Sequence, residues 1–396
     1  MQKKLIALAI ASLSGAAFAQ SSNVTIYGIV DSTFDVINVS GGQRAIPTAV
    51  PPISEIPGKG TPNFTRVQSN GSRLGVKGTE NLGNDLSAFF QLESNAKFDA
   101  GGALDTGRDS FLGLKGNFGA IKMGNFSGPN RDLASKLDVV IHSDGIGDNS
   151  ALLGKLGGRG SYFDTRYKNA IAYITPDFSG FGATLLYQAN ENKVDAPATS
   201  KINSSLYEVG MNYTYGPLYI GGAYGKQREK NASGLGTFNL GTDADASEIR
   251  VGAIYNFGVA SLRAMYGRTK GEGDDPAGHR DIHQNVWGVG GTYNVTANGK
   301  LLMQYFRAGD LSGKLPGITT DLSDTGANFW VLGYEHSLSK RTTLIAHYAY
   351  LKNDQRTGTV AGAAATKGYD FGDGSTGFTG DDVKLSGLSV GLNHAF

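Results

Sequence analysis

Tyr207-Glu208-Val209-Gly210-Met211-Asn212-Tyr213-Thr214-Tyr215 places an apolar or aromatic side chain at every odd position and a polar residue or Gly at every even one. Successive side chains of a strand point to opposite faces, so this period of two describes a strand with one apolar and one hydrated face. The same split recurs in Ile249-Arg250-Val251-Gly252-Ala253-Ile254-Tyr255-Asn256-Phe257, with Ile254 as its one exception. Trp287, Val289, Tyr293 and Val295 make a third such face, and Trp330, Leu332, Tyr334 and His336 a fourth. After the first twenty residues the chain has no apolar run long enough for a membrane helix. Membrane strands need only about 9–11 residues, apolar at alternate positions, so hydropathy alone is the wrong test.

Working outward, sixteen candidate strands fall near 23–36, 66–80, 85–98, 108–116, 119–126, 166–175, 181–190, 205–215, 217–228, 246–257, 259–270, 284–295, 299–309, 327–338, 341–352 and 384–396. Short turns sit at 81–84, 116–119, 176–180, 215–217, 256–259, 295–299 and 337–340, and long Gly/Asp/Ser-rich links fill the other eight gaps. Sixteen antiparallel strands require this alternation when both termini lie on the short-turn side. Long external loops opposite tight periplasmic turns are the asymmetry of bacterial outer-membrane barrels. A soluble β-sandwich or propeller would need neither the aromatics at strand ends nor so regular an alternation. The expected class is all-β: a 16-stranded antiparallel transmembrane β-barrel in one domain, residues 20–396. Leu388, Val390, Leu392, His394 and Phe396 share one face of the last strand, whose partner in a closed sheet is Val24-Thr25-Ile26-Tyr27-Gly28.

Composition narrows the function. With 58 Gly and no Cys in 396 residues, a disulfide-stapled domain, a Cys-ligated metal protein and a thiol enzyme are excluded. Lys and Arg (36) nearly balance Asp and Glu (35), which gives no argument for nucleic acid. Lys3 and Lys4, the apolar stretch Leu5 to Leu13 and Ala17-Phe18-Ala19 have the layout of a secretory signal, expected to be cut after Ala19. Removing residues 1–19 takes both lysines away and turns the formal charge from +1 to −1.

Val24-Thr25-Ile26-Tyr27-Gly28-Ile29-Val30-Asp31 and Ser72-Arg73-Leu74-Gly75-Val76-Lys77-Gly78-Thr79-Glu80 resemble the opening strands of the trimeric general-diffusion porins of the Gram-negative outer membrane, especially the betaproteobacterial branch. Arg166-Tyr167-Lys168-Asn169-Ala170-Ile171-Ala172-Tyr173 and Val390-Gly391-Leu392-Asn393-His394-Ala395-Phe396 are similar to the same family, so the resemblance spans the mature chain. It implies a homotrimer and a water-filled channel for passive diffusion of ions and small hydrophilic solutes, with no cofactor. It also implies an inward-folded third loop, here about residues 126–165, narrowing the pore. The terminal aromatic Phe396 resembles the signal read by the barrel assembly machinery, and the second external loop, about 99–107, would reach toward a neighbouring subunit.

By the same resemblance the pore constriction sets a basic wall of Arg73, Lys77, Arg108 and Arg166 against loop carboxylates chosen from Asp132, Asp138, Asp144 and Asp148. Alternation supports part of this: if Leu74 and Val76 face lipid, Arg73, Gly75 and Lys77 face the lumen. A lipid-facing Arg or Lys at the midplane would cost about 2–4 kcal/mol. Opposed charge rows in a narrow aqueous gap make a transverse field, and four wall cations against two or three loop anions suggest a mild anion preference. The acidic, Gly-terminated loop motif of enterobacterial porins is absent, with His142-Ser143-Asp144-Gly145 in its place, and the first-strand position often held by a lumen Lys is Ile29.

The wall cations have a plain alternative, that of satisfying lumen carboxylates, and the loop aspartates that of N-caps and turn formers. His279 and His283 beside Asp274, Asp275 and Asp281 fall on a polar link, and a metal site is not expected there. Asp370-Phe371-Gly372-Asp373-Gly374 lacks the Glu spacing of an EF-hand. Neither G-x-S-x-G nor H-E-x-x-H occurs, so catalysis is not expected. The alternative in another class is a substrate-specific uptake channel or an adhesive barrel, but most Tyr and Trp fall on outward positions rather than in an inward ladder.

Overall fold

The computed structural model describes residues 23–41, 63–101, 104–105, 107–140, 145–160, 162–189, 203–230, 243–275, 278–314, 322–355, 368–372, 380 and 382–396. The expected signal segment lies outside these residues. In chain order the elements are β1 (Asn23–Ser40), β2 (Asn63–Ser69), β3 (Arg73–Gly83), β4 (Leu86–Asn95), β5 (Ser110–Gly116), β6 (Gly119–Ser127), α1 (Pro129–Leu137), β7 (Arg166–Ile174), β8 (Phe181–Gln188) and β9 (Asn203–Tyr215). There follow β10 (Leu218–Lys230), β11 (Asp243–Asn256), β12 (Ala260–Asp275), β13 (Gly278–Asn294), β14 (Gly299–Ala308), β15 (Ser312–Lys314), β16 (Ala327–Ser337), β17 (Thr342–Asn353) and β18 (Lys384–Ala395).

These eighteen segments make sixteen staves of one closed antiparallel barrel. β2 and β3 both pair with β1, ending at Ser32↔Ser69 and Ile29↔Arg73, and so are one stave interrupted at 70–72. β14 and β15 both pair with β13 and form a second interrupted stave. The barrel closes where β1 meets β18, from Ile29↔Ala395 to Ser40↔Lys384. At the seam Gly28 and Phe396 exchange backbone hydrogen bonds of 3.1 and 3.0 Å, and the Phe396 ring occupies the space a side chain at 28 would need. Closure matters because an unpaired N–H or C=O in hydrocarbon costs several kcal/mol.

Alternation survives in the barrel. Tyr207, Met211 and Tyr213 are exposed on the outer face, whereas Glu208 is fully buried inside. Ile254, the exception in its strand, faces the lumen and packs against an apolar cluster held by the third loop. The tight turn after β3 places Asn84 and Asp85 at φ of 51° and 59°, a left-handed pair that suits the twist of a hairpin. One link departs from expectation. β12 and β13 stay paired as far as Asp275↔Gly278, so residues 271–275 and 278–283 are strand and not a long loop. Apolar alternation stops at the lipid boundary, but the hydrogen-bonded ladder continues into water.

The third loop lies on the inside wall. Pro129, Leu133 and Leu137, four residues apart, form one face of α1. This face meets lumen-facing glycines: a Cβ at Gly210 would come within 2.7 Å of Pro129, and one at Gly221 within 2.7 Å of Leu133. Gly252 makes the same close approach to Leu137, and Gly290, at 2.8 Å, to Val139. Beyond the helix, Val140, Ile146, Leu152 and Leu153 are buried with Ile37, Val39, Phe329, Val331, Leu351 and Leu385 of the wall. The apolar core therefore sits inside the barrel, between loop and staves. Gly252→Val is expected to overpack this contact and cost about 1–3 kcal/mol in urea unfolding, a loss partly recovered when Leu137→Ala is added to the same chain.

Candidate functional site

Buried polar side chains stitch the loop to the wall. Glu208 on β9 accepts the Asn130 backbone N–H at 2.8 Å and its side-chain amide at 3.2 Å, and also the Tyr167 hydroxyl. A carboxylate so placed complements the free N–H groups and positive dipole end of α1. On β11, Arg250 is fully buried, donates to the Asn130 carbonyl at 2.6 Å and pairs with Glu248, with Asp164 of the loop 3.6 Å away. Thr269 donates to Glu248 at 3.3 Å. Further round, the Gln304 amide receives the Val139 N–H and donates to the Gly147 carbonyl, and Gln284 accepts from Gly157 N–H at 2.8 Å. Arg263 donates to the Asp138 carbonyl. The loop thus packs against staves β7 to β14 and, beyond the helix, against β16 to β18 and the far end of β1, and leaves the lumen face of β3 to β6 the most open to water.

The open wall carries the sequence-derived cations. Glu93 on β4 is their hub: it accepts from Tyr27 at 2.9 Å, pairs with Arg108, and lies 3.8 Å from Arg73. Arg108 is buried and also donates to Asn95 at 3.1 Å. Arg166 pairs with Asp109 at 2.6 Å. The three arginines stand in one another's fields, since both Arg108 and Arg166 act on Arg73. Lys77 is exposed and lies over the Tyr27 ring, 4.9 Å from its centroid, with no carboxylate partner among the described residues. The structure therefore brings Arg73, Arg108 and Arg166 together and neutralises each in part, while Lys77 keeps its charge uncompensated.

The loop carboxylates separate. Asp132 is exposed on the free face of α1. Its place inside the barrel, close to the surrounding walls, desolvates the carboxylate and raises its pKa to about 6, against the opposing pull of Lys122 and, more weakly, Arg131 and Arg166, while Asp109 pushes it further up. Asp138 is buried, and its two carboxylate oxygens accept the N–H groups of Val140 and Asn149 at 2.9 and 2.7 Å. That carboxylate is engaged in bracing the loop and is turned away from the water-filled lumen. Asp148 caps the short 3-10 turn by accepting from Ser150 N–H. Asp144, with His142, lies outside the described residues.

Two further lysines of the lumen were not singled out in the sequence. Lys122 sits over Phe126 and Phe111, 4.1 and 4.7 Å from their centroids, and lacks a carboxylate partner among the described residues. Its neighbours Ile121 and Met123 are exposed outward, so the alternation that placed Lys77 would have placed Lys122 as well. Lys136 is exposed on α1 over Tyr219, at 4.4 Å, one helical turn beyond Asp132. It could be found only once the loop was known to be helical. Of the two histidines near 280, His279 meets Asp274 at 2.8 Å on exposed strand surface.

A closed sixteen-stave barrel with a hydrated, charge-lined lumen and a loop fixed inside it is a membrane channel. The model of the Gram-negative porin family matches residues 5–356, and this chain belongs to that family. Outer membrane porin protein 32 of Delftia acidovorans is 34% identical over 404 aligned positions that cover all of both chains. An outer membrane porin protein of Bordetella pertussis is 30% identical, covering 89% of this chain and 95% of its own. Among solved structures, the anion-selective porin from Comamonas acidovorans superposes with a TM-score of 0.71 and 28% identity, covering 95% of this chain and all of that one. The protein is an outer-membrane diffusion channel. Removing Arg250 from this frame, as in Arg250→Met, would strand Glu248, Glu208 and Asp164 in burial, and a loss of about 3–5 kcal/mol is expected in denaturant unfolding of the folded barrel.

Proposed function

We propose that this porin is a homotrimeric general channel with a mild anion preference, and that its constriction lies between α1 and the open wall carrying Arg73, Lys77, Arg108, Lys122 and Arg166. The observation that carries the selectivity is the contrast between paired and unpaired charge. Arg108 and Arg166 have carboxylates at their guanidinium groups, whereas Lys77, Lys122 and Lys136 rest on aromatic rings with no ion pair among the described residues. Against these three stands the exposed carboxylate of Asp132. A ring below an ammonium holds it in place without cancelling its field toward the lumen. The Comamonas porin, described as anion-selective, agrees in sign. Asp138 is assigned to bracing the loop and not to lining the gap.

The outward face of the first staves, with Val24, Ile26, Val30 and Phe34 exposed, supplies an apolar surface for neighbouring subunits and lipid. Phe396 completes the seam and offers the terminal aromatic for the assembly machinery, and residues 1–19 act as the export signal. Transport is passive, without cofactor or catalysis.

Reversal potential across a salt gradient in a planar bilayer tests this reading. Chloride is expected to outrun potassium, and Lys122→Gln to lower that ratio about threefold, the ~0.7 kcal/mol that one charge exerts across ~6 Å of water. A cation-selective wild-type channel would sink the proposal. The preference should also depend on pH. Asp132 is charged above about 6 and neutral below it, so anion selectivity should rise as pH falls through that value, and Asp132→Asn should flatten the profile.

A further inference from the structure

Below α1, toward the turn that joins β9 to β10, the lumen opens into a cavity of about 280 Å³. Its walls include Asp132 and Lys136 from the helix, Thr184 from β8, Asn212 and Thr214 from β9, and Tyr219 from β10. Lumen cavities of this size fall just under the range of about 300–1,000 Å³ that holds drug-sized ligands, which suits a solute of amino-acid or dipeptide dimensions.

The charges are what make this cavity specific. Asp132 and Lys136 are four residues apart, so their Cβ atoms stand about 5–6 Å from each other on one face, the order in which an acid and a base on a helix normally pair. Here they do not pair. Lys136 lies over the Tyr219 ring instead, and the Asp132 carboxylate has no hydrogen-bond or ion-pair partner among the described residues, Lys122 acting on it only from beyond ion-pair distance. The same cavity therefore presents an unsatisfied carboxylate and an unsatisfied ammonium, flanked by two hydroxyls and an amide. A simple anion would gain Lys136 but meet Asp132, and a simple cation the reverse. A solute carrying both charges gains at both ends.

We infer that this cavity is a subsite for zwitterionic solutes, α-amino acids and short peptides, whose ammonium faces Asp132 and whose carboxylate faces Lys136. Asn212, Thr184 and Thr214 supply hydrogen bonds to the solute backbone, and Tyr219 fixes the lysine. The inference rests on the channel reading above and names a substrate class for it.

Purified wild-type channel in a planar bilayer provides the test, with ion current followed while glycylglycine is added. N-acetylglycine, which lacks the ammonium, and glycinamide, which lacks the carboxylate, are the controls. Glycylglycine is expected to reduce current saturably, at a concentration at least tenfold below either control. Asp132→Asn and Lys136→Met should each raise that concentration about tenfold, every variant being normalised to its own open current. Where one of these does not insert, Asn212→Leu, which fills the cavity, should abolish the saturable phase. Equal, non-saturating responses to all three solutes in an open channel would overturn the subsite and leave the porin reading intact. Absence of open channels in the wild type would instead overturn the reading on which it rests.

Discussion

Lipid offers no hydrogen bonds, and the rest of the architecture follows from that. A sheet in hydrocarbon must have no edge, so β1 and β18 are held in register over twelve residue pairs and the last residue shares two backbone bonds with Gly28. Once closed, the sheet must present apolar side chains on its outer face throughout the membrane. This consumes every second residue, and all remaining chemistry has to be written on the other half. The lumen wall is thus the only place within the membrane where charge is affordable, and arginines, lysines and carboxylates collect there.

A barrel of sixteen staves encloses more space than its inward side chains can fill, so the third loop becomes a structural part of the interior. Its attachment combines two unlike contacts. Glycines at 210, 221, 252 and 290 let the helix and the segment after it lie close against the backbone of the wall. Beside them, Glu208, Glu248 and Arg250 form a buried polar anchor at the start of the helix. The glycines set how near the loop lies, and the charged groups set where along the staves it begins, because Asn130 is held from both sides. The position of Asp132 and Lys136 in the lumen is a consequence of both.

Much of this was legible in the sequence, for a definite reason. Period-two polarity located all sixteen staves because lipid imposes it, and the alternation of short and long links ordered them. The extent of β12 and β13 was not legible, since the ladder runs past the lipid boundary into Glu272, Asp274, His279 and Asp281, where polarity no longer alternates. Nor was the helix in the third loop. Its mark in the sequence is indirect: staves covered by the loop are apolar on both faces, as in Ala327, Phe329 and Val331 opposite Trp330 and Leu332 of β16, whereas Arg73, Glu93 and Lys122 mark the uncovered side. Ile254 belonged to that pattern and read as an exception.

The same division means that the charges along the loop and wall differ in how far each is compensated. Arg108 and Arg166 are lumen-facing, yet their nearest oxygens belong to Glu93 and Asp109, so much of their field is spent within the wall. Asp138 lies on the expected loop, yet its oxygens are filled by backbone N–H groups. A lysine seated on an aromatic ring is held without being neutralised, and that is the arrangement of Lys77, Lys122 and Lys136. What a passing ion meets is therefore set by which charges lack partners. Residue type and spacing alone do not carry that information; it depends on how the loop brings its few carboxylates near, or keeps them from, the cations of the wall.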